Sequence, residues 1–435
     1  MVLSFFIFLR SSCDVTVTAR TPAHCHHGFP VLPGLAHEDQ SSILNPLALM
    51  SSRPHTGLEL AAARQSDYIA ALENAPHLAT DGVPVMADEV GFAVVGLGMG
   101  KHHCRSIISG KGSKLIAICD IDEERLSKGK EDYNCRTYVS FDEMLNDPEI
   151  QCVNIATPSG MHSDFGIMAV EAGKHIIVEK PADITPDKID KLREAGEKAG
   201  VKVGCIFQAR LDPLNIAIRN AIQSGRLGKL IGIHGHLPWY RKQSYYEGDH
   251  GSWKGTWDTD GGGSLMNQGV HTVDLIQWLG GRVEKVNGMF GVFGHDIEAE
   301  DQTVALLKFE NGALGTIYTT TCCYPGYDQL ITIYGTKGSI MKDASKLLNW
   351  RIEGDNEDEE EQEMLAKYGP KDKEEGISAD PMAVSSDGHT QIVEDMAKAI
   401  VDDRDPMIGL DSAKHAVEII TSVFEAGRSG QTISV

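Results

Sequence analysis

The sequence predicts an α/β protein, a doubly wound parallel sheet followed by an α+β domain on a large, mostly antiparallel open sheet. Three observations predict it. The stretch EVGFAVVGLGMGKHHC, Glu89 to Cys104, is a short apolar run closed by Gly96, Gly98 and Gly100, the pattern of a buried strand turning sharply into a helix. A second apolar run, Leu115 to Cys119, ends in Asp120, 24 positions after Gly96. From Glu89 onward strand and helix patterns alternate, which implies parallel strands joined by crossover helices; later they give way to β-branched, alternating strands.

The glycine turn has phosphate-binding character. Glycines let the backbone approach a pyrophosphate, and the free N–H groups of the first helical turn point at it along the helix dipole. Gly96, Gly98, Met99 and Gly100 are the expected contacts. The spacing is Gly-x-Gly-x-Gly, with the third glycine displaced from the full fingerprint, so an ordinary tight turn is the alternative. Asp120 lies near the roughly 20-residue spacing at which an acidic residue reaches the adenosine ribose. At about 4 Å it would repel a 2′-phosphate by about 4 kcal/mol per unit charge at an effective dielectric near 20. This favours NAD, with NADP left open through Arg125. A strand-end turn residue or a helix N-cap is the plainer role for Asp120.

Composition narrows the class. Of 435 residues, 40 are Lys or Arg and 62 Asp or Glu, a net charge of −22, which argues against nucleic acid or an anionic membrane as partner. No apolar run approaches the ~20 residues of a membrane span. The nine cysteines form no C-x-x-C pairs, and Cys104, Cys119, Cys135, Cys152 and Cys205 fall in buried-looking patterns. Reduced thiols in a cytoplasmic setting are expected, with no disulfide framework and no metal site. Cys322 and Cys323 are expected to alternate across a strand.

Residues 1–88 are of another kind. Val2 to Leu9 is too short and poorly flanked for a signal peptide, and a Pro-, His- and Ser-containing stretch follows that reads as disordered. Leu58 to Leu72 has a helical pattern without an assignable role. The expected division is therefore an extension at 1–88, a dinucleotide-binding domain at 89–210 and a substrate and oligomerisation domain at 211–435.

Within the parallel part, helices are expected at Asp122 to Asp132 and Phe141 to Asn146, then a strand at Cys152 to Ala156. Ligands in such sheets bind beyond the carboxyl ends of strands, which puts Thr157, Pro158 and His162 beside the nicotinamide half. A helix-start role is the plainer alternative for His162. A further strand, His175 to Val178, ends in Glu179-Lys180-Pro181.

Together GLGMGKHHC, ATPSGMH, VEKP, FQARLDP and WKGTWDTDGGGSLMNQGVHTVDLIQWLGG resemble the Gfo/Idh/MocA oxidoreductases over about residues 89–435. The resemblance implies a Rossmann domain and action on sugars, polyols or nucleotide sugars. It implies a catalytic Lys180 in a cis peptide with Pro181, and cofactor contacts at Glu179, Lys180 and Gln208. The chemistry supports Lys180 separately. Alcohol oxidation needs a group beside the oxygen to handle its proton, and a Lys at a strand's carboxyl end can do this while the following Pro fixes the chain direction.

Asp260-Gly261-Gly262-Gly263 precedes a helical pattern that places Asn267, His271 and Asp274 at i, i+4 and i+7, one face. Many relatives carry Asp where this chain has Asn267. An amide does not exchange a proton at neutral pH, so His271, with an ordinary pKa near 6.5, is expected as general acid/base, and Asn267 as an orienting group. The aromatic and basic segment Leu237 to Trp257 is expected to line the substrate site through Arg241, Tyr246 and Trp257. Relatives acting on UDP-N-acetyl-hexosaminuronic acids share its pattern, which makes a substrate carboxylate on Arg241 plausible.

Strands are expected at Val283 to Gly294, Thr303 to Glu310, Gly315 to Thr321, Leu330 to Gly335 and Ser339 to Lys342. Their open face would form a homodimer or homotetramer, as the resemblance implies. The acidic run Asn356 to Glu363 reads as a solvated loop, and helices near His389 to Asp402 and Ser412 to Arg428 close the chain. An NAD-dependent dehydrogenase is the leading reading. An NAD-dependent glycoside hydrolase and a cofactor-sensing regulatory protein without chemistry are the alternatives.

Overall fold

The computed structural model describes residues 89–248, 251–371 and 387–435; the expectations for the N-terminal extension fall outside them. The first six strands are β1 (Val90–Val95), β2 (Ser113–Cys119), β3 (Arg136–Tyr138), β4 (Cys152–Ile155), β5 (His175–Val178) and β6 (Val203–Cys205). They form one parallel sheet in the order β3-β2-β1-β4-β5-β6. The order reverses between β1 and β4, and the crevice beyond their carboxyl ends is where doubly wound sheets take ligands. β1, β4 and the last three residues of β5 are fully buried, as strands covered on both faces must be.

Five crossover helices join these strands: α1 (Gly100–Ser109), α2 (Glu123–Tyr133), α3 (Phe141–Leu145), α4 (His162–Glu171) and α5 (Pro186–Ala199). Asp122 caps α2 by accepting from the N–H groups of Glu124 and Arg125 at 3.0 and 3.1 Å. Asp120 is thus left free of the capping role and serves elsewhere. Helix α5 starts on Pro186 and stops at Gly200, whose φ is +68°, the usual helix punctuation.

After α6 (Pro213–Gln223) the chain builds a second sheet. Its strands are β7 (Leu230–Pro238), β8 (Val283–Gly291), β9 (Gln302–Phe309), β10 (Leu314–Thr320), β11 (Leu330–Gly335), β12 (Gly338–Asp343), β13 (Lys346–Ile352) and β14 (Ile433–Ser434). The order is β13-β12-β11-β7-β10-β9-β8-β14, with β7 and β10 parallel and the other pairs antiparallel. Helices α7 (Val270–Gly280) and α10 (Leu410–Ser429) cover one face. Gly235 of β7 lets α7 lie close: a Cβ there would stand 2.5 Å from Thr272 Cγ2 and 2.6 Å from Ile276 Cδ1.

Three features differ from expectation. The strands β3, β6, β7, β13 and β14 were not foreseen, β7 among them being central to its sheet. The acidic run is helix α8 (Glu357–Tyr368) and not a loop. Four acidic residues in its first turn suit the positive end of the dipole, and Glu360 accepts from Trp350 Nε1 at 2.8 Å and pairs with Arg226. Cys322 and Cys323 lie past the end of β10, with Cys322 in an isolated bridge to Tyr240. Helix α9 (Asp387–Val401) returns to the first sheet and packs on α1. Among the described residues no helix is long and apolar enough to cross a membrane.

Candidate active site

The glycine turn is shaped for a dinucleotide. Gly96 has φ +86°, and a Cβ on it would lie 2.4 Å from the Ala156 carbonyl oxygen. Among the described residues, its two chain neighbours aside, nothing stands within 4 Å of a Cβ built on Gly98, which leaves room for a ligand against its backbone. Gly100 lets α1 meet β1, its Cβ position being 2.8 Å from Val94 Cγ1; the displaced third glycine still does the packing task. Met99 precedes the helix without a side-chain cap, so the first N–H groups of α1 remain for an anion. Asp120 accepts from Leu97 N at 2.7 Å and from Asp122 N at 2.9 Å, with Arg125 Nη1 3.5 Å away.

At the other end of the crevice the strand tips carry polar atoms aimed at no protein partner. Thr157 Oγ1, Gln208 Oε1 and His271 Nδ1 are buried without a hydrogen-bond partner, which fits a polar ligand spanning β1 to β6. Pro158 is half-buried after β4. His162 faces inward instead. It is 2% exposed, and its Nδ1 and Nε2 lie 2.7 and 2.9 Å from the Pro181 and Thr157 carbonyl oxygens. It braces the loop that carries Lys180 and is not the expected nicotinamide contact.

Glu179 is likewise buried. Its Oε1 accepts from His103 Nε2 at 2.8 Å, with His389 Nε2 at 3.6 Å, and its Oε2 from Lys180 N at 2.9 Å. Asn154 Nδ2 donates to His103 Nδ1 at 2.9 Å, so the proton of His103 sits on the nitrogen facing Glu179. Two imidazoles and a carboxylate thus converge here. His103 and His389 hold Glu179 well below the ordinary carboxylate range. Its carboxylate is engaged by these protein groups, including the Lys180 N–H, where a direct cofactor contact was expected of it.

Lys180, in a cis peptide with Pro181, donates from Nζ to the Asn267 carbonyl oxygen at 3.0 Å. Burial lowers its ammonium pKa, opposed by Glu179 and Asp260. Asn267 belongs to a π-helical turn, Ser264–Gln268, that precedes α7. The looser winding breaks the single face expected for positions 267, 271 and 274. Asn267 and His271 stay near Lys180. Asp274 instead meets Arg210, whose Nε donates to Oδ2 at 2.8 Å.

Burial first, then the Lys180 charge, push the His271 imidazole down to about 3. It is a neutral hydrogen-bonding group, with its ring edge-on to Phe207 at 6.2 Å, and a poor general base at neutral pH. A neutral, weakly basic imidazole speaks against the acid/base role expected for it.

Around Asn267 runs a polar network that sequence reading only partly found. Arg241 Nη2 donates to Gln268 Oε1 at 3.1 Å. Gln268 Nε2 donates to the Tyr245 hydroxyl at 2.8 Å and to Asn267 Oδ1 at 2.5 Å. Asn267 Nδ2 donates to Asp260 Oδ1 at 2.6 Å, and Gly255 N to Asp260 Oδ2 at 2.8 Å. Tyr245, not Tyr246, therefore belongs here, between the Arg241 guanidinium and Lys254 Nζ, 5.6 and 3.8 Å from its ring centre. Tyr246 points into the sheet, its hydroxyl 2.9 Å from Thr321 Oγ1. Trp257 packs edge-on to Phe424 at 5.1 Å and under Arg428 at 4.6 Å, a structural cluster. Lys254, Tyr245 and Gln268 were missed, and Asp260 was named only as the start of its glycine run; their signal was membership of two segments already singled out.

Comparison with known proteins follows the same division. Residues 90–207 match the profile described as an oxidoreductase family with an NAD-binding Rossmann fold. Residues 216–341 match a GFO/IDH/MocA C-terminal domain. The chain is 28% identical over 263 residues to myo-inositol 2-dehydrogenase of Thermotoga maritima, 58% of this chain and 75% of that protein. It is 28% identical over 271 residues to the NAD(+)-dependent scyllo-inositol 2-dehydrogenase of Bacillus subtilis, 59% and 74% of the two chains. A solved structure of the WlbA dehydrogenase from Bordetella pertussis, in complex with NADH and UDP-GlcNAcA, superposes with a TM-score of 0.71 and 28% identity. That likeness covers 81% of this chain and 99% of the other.

Proposed function

The chain belongs to the GFO/IDH/MocA family of NAD-binding oxidoreductases, and from that premise we propose that it oxidises a secondary hydroxyl of a carboxylate-bearing sugar or nucleotide sugar. The observation that carries this is the convergence of Lys180 Nζ, Asn267 and the unpartnered His271 Nδ1 at the strand tips. NAD, when bound, supplies the hydride acceptor, and Gly96, Gly98, Met99, Gly100, Asp120, Thr157 and Gln208 are the residues that would hold it. Asp120 favours NAD over NADP; Arg125 beside it is the group that would have to turn to admit the 2′-phosphate.

Lys180 takes the hydroxyl proton on Nζ as the C–H bond gives up its hydride, and the oxygen becomes the ketone. Burial makes its neutral amine accessible closer to neutral pH than for an exposed lysine. His271, held neutral, hydrogen-bonds the same oxygen and fixes the carbon's orientation. Lys254 lies near Arg241, Lys180 and Asp260, and burial lowers its ammonium pKa, opposed by Asp260 and aided by the two cations. An anionic substrate group near Arg241 and Lys254 is in keeping with the UDP-GlcNAcA ligand of WlbA.

Mass spectrometry of the purified protein for retained NAD, then reduced-nicotinamide absorbance over UDP-GlcNAcA, myo-inositol, scyllo-inositol and levoglucosan, tests the reading. Turnover is expected on the acidic nucleotide sugar at least about tenfold above the neutral polyols, the scale of one well-made charged contact. A neutral polyol as best substrate would overturn the carboxylate assignment, and no NADH from a broad carbohydrate panel would overturn the dehydrogenase. The open sheet face carries Met289, Leu306, Leu314 and Val304, 78, 60, 60 and 46% exposed. A homodimer or homotetramer through this face is part of the proposal, as is a cytoplasmic setting for the seven unpaired cysteines among the described residues. Light scattering on the purified chain checks the assembly.

A further inference from the structure

Asn267 holds a cation with its backbone and an anion with its side chain. Its carbonyl oxygen accepts from Lys180 Nζ at 3.0 Å, and its amide nitrogen donates to Asp260 Oδ1 at 2.6 Å. The amide orientation is fixed, because Oδ1 faces two donors, Gln268 Nε2 at 2.5 Å and the Tyr245 hydroxyl at 3.5 Å. Asp260 is fully buried, at 0% exposure, and its carboxylate accepts from two neutral groups, Asn267 and Gly255 N.

The segment bearing Asp260 is stitched to the parallel-sheet half. Gly160 N donates to the Thr259 carbonyl oxygen at 2.7 Å. Gly261, at φ +72°, leaves no room for a Cβ against Ile184, 2.6 Å away. Asp260 is therefore fixed relative to the loop of Lys180. A buried carboxylate with so few donors needs a cation nearby. Those that interact with it are Lys180 and Lys254. Tyr245 and Tyr246 are the other titratable groups influenced by it. Around Lys180 itself stand Glu179, Arg241 and His271. Glu179 is already engaged by His103 and His389, and His271 is neutral. Two anions therefore act on Lys180, Glu179 and Asp260, and Asp260 is the one joined to its ammonium through Asn267.

We propose that Asp260 is a positioning residue for Lys180: across the Asn267 bridge it supplies a negative charge, beside that of Glu179, that helps the lysine hold its proton. This rests on the reading of Lys180 as the proton-handling group, and it is testable without turnover. In the full chain, the rate of Lys180 acetylation by acetic anhydride, read by peptide mass spectrometry against exposed Lys111 across pH, reports the midpoint of its titration.

Removing an anion disfavours the ammonium, so Asp260→Asn should lower that midpoint by about one to two pH units, the span for a charge at close range. The double variant D260N/N267D keeps the hydrogen bond with donor and acceptor exchanged, and the carboxylate it places at position 267 still accepts from Gln268 and Tyr245. It returns a negative charge to the site and should restore the wild-type midpoint. A merely structural role for Asp260 predicts no such rescue. An unchanged midpoint in D260N, or a double variant that stays with the single one, overturns the proposal. If circular dichroism shows D260N unfolded, Asp260→Ser, which keeps an acceptor for Gly255, is read by the same criteria. A Lys180 variant with full turnover would remove the premise about catalysis, and the labelling result would still decide the electrostatic link.

Discussion

Lys180 stands between two buried carboxylates that come from different halves of the molecule and are held in opposite ways. Glu179, at the tip of β5, is gripped by His103, with His389 close by, and is kept charged. Asp260, from the loop before α7, receives only amide donors, and burial pushes it up to about 7. Glu300 makes the contrast sharper. It accepts from three backbone N–H groups and the Ser264 hydroxyl, yet burial still raises it to about 7. Neutral donors alone do not offset the loss of water at Asp260 and Glu300, whereas at Glu179 the His103 and His389 side chains do. One side of the lysine is therefore rigid scaffold and the other is poised near neutrality.

The largest effect expected is on chemistry. Lys180→Ala should retain NAD binding by calorimetry yet lose about 10² to 10⁴-fold in turnover on the best substrate of the panel; a full-rate variant would show that the carboxylates flank a bystander. Next comes the scaffold side. Glu179→Ala leaves His103 and the Lys180 N–H facing no acceptor and should cost about 3 kcal/mol in urea unfolding. Asp260→Asn should stay within about 1 kcal/mol at pH 7, since it removes a carboxylate poorly provided with partners. Equal losses would erase the distinction between the two sides.

Gly98→Val sharpens the comparison by leaving both carboxylates alone. It meets open space, so stability should hold within about 0.5 kcal/mol. NAD affinity should fall at least about tenfold, because the side chain fills the pyrophosphate approach; unchanged affinity would move the dinucleotide elsewhere. The smallest effect is a slope. Asp260 and Glu300 have folded pKa values near 7, above the ordinary carboxylate range near 4. Between those limits the folded state binds more protons than the unfolded one, so their contribution to stability falls as pH rises. Glu179 is shifted the other way, and its contribution is lost only as pH falls below about 4.5. Melting temperature against pH should decline less between pH 4 and 7 in D260N than in the wild type.

Much of the parallel half was legible because its signals are local. Gly96, Gly98 and Asp120 act through backbone shape and one strand end, and the alternation of apolar runs with helices implies the parallel sheet. The second half was read less well for identifiable reasons. β7 carries Gly232, Gly235, His234 and His236, which weaken a strand pattern, though the glycine at 235 is demanded by α7. The i, i+4, i+7 face at Asn267 assumed α-helical winding, and a π-turn does not announce itself in residue types. Tyr245 and Tyr246 are adjacent, and only tertiary packing decides which of them turns toward the cleft. His271 looked like a base from its ordinary pKa; burial beside an ammonium is not visible in one dimension.

Arg210 follows the last parallel strand, and its guanidinium forks onto Asp274, one turn beyond His271 in α7, with Ser412 of α10 completing the grip. Severing such an interior pair costs about 3–5 kcal/mol, several times thermal energy. The imidazole is thereby geared to the floor of the first sheet. Displacing the start of α7 from the segment after β6 would first have to break that fork, so His271 keeps its station for as long as the ion pair holds.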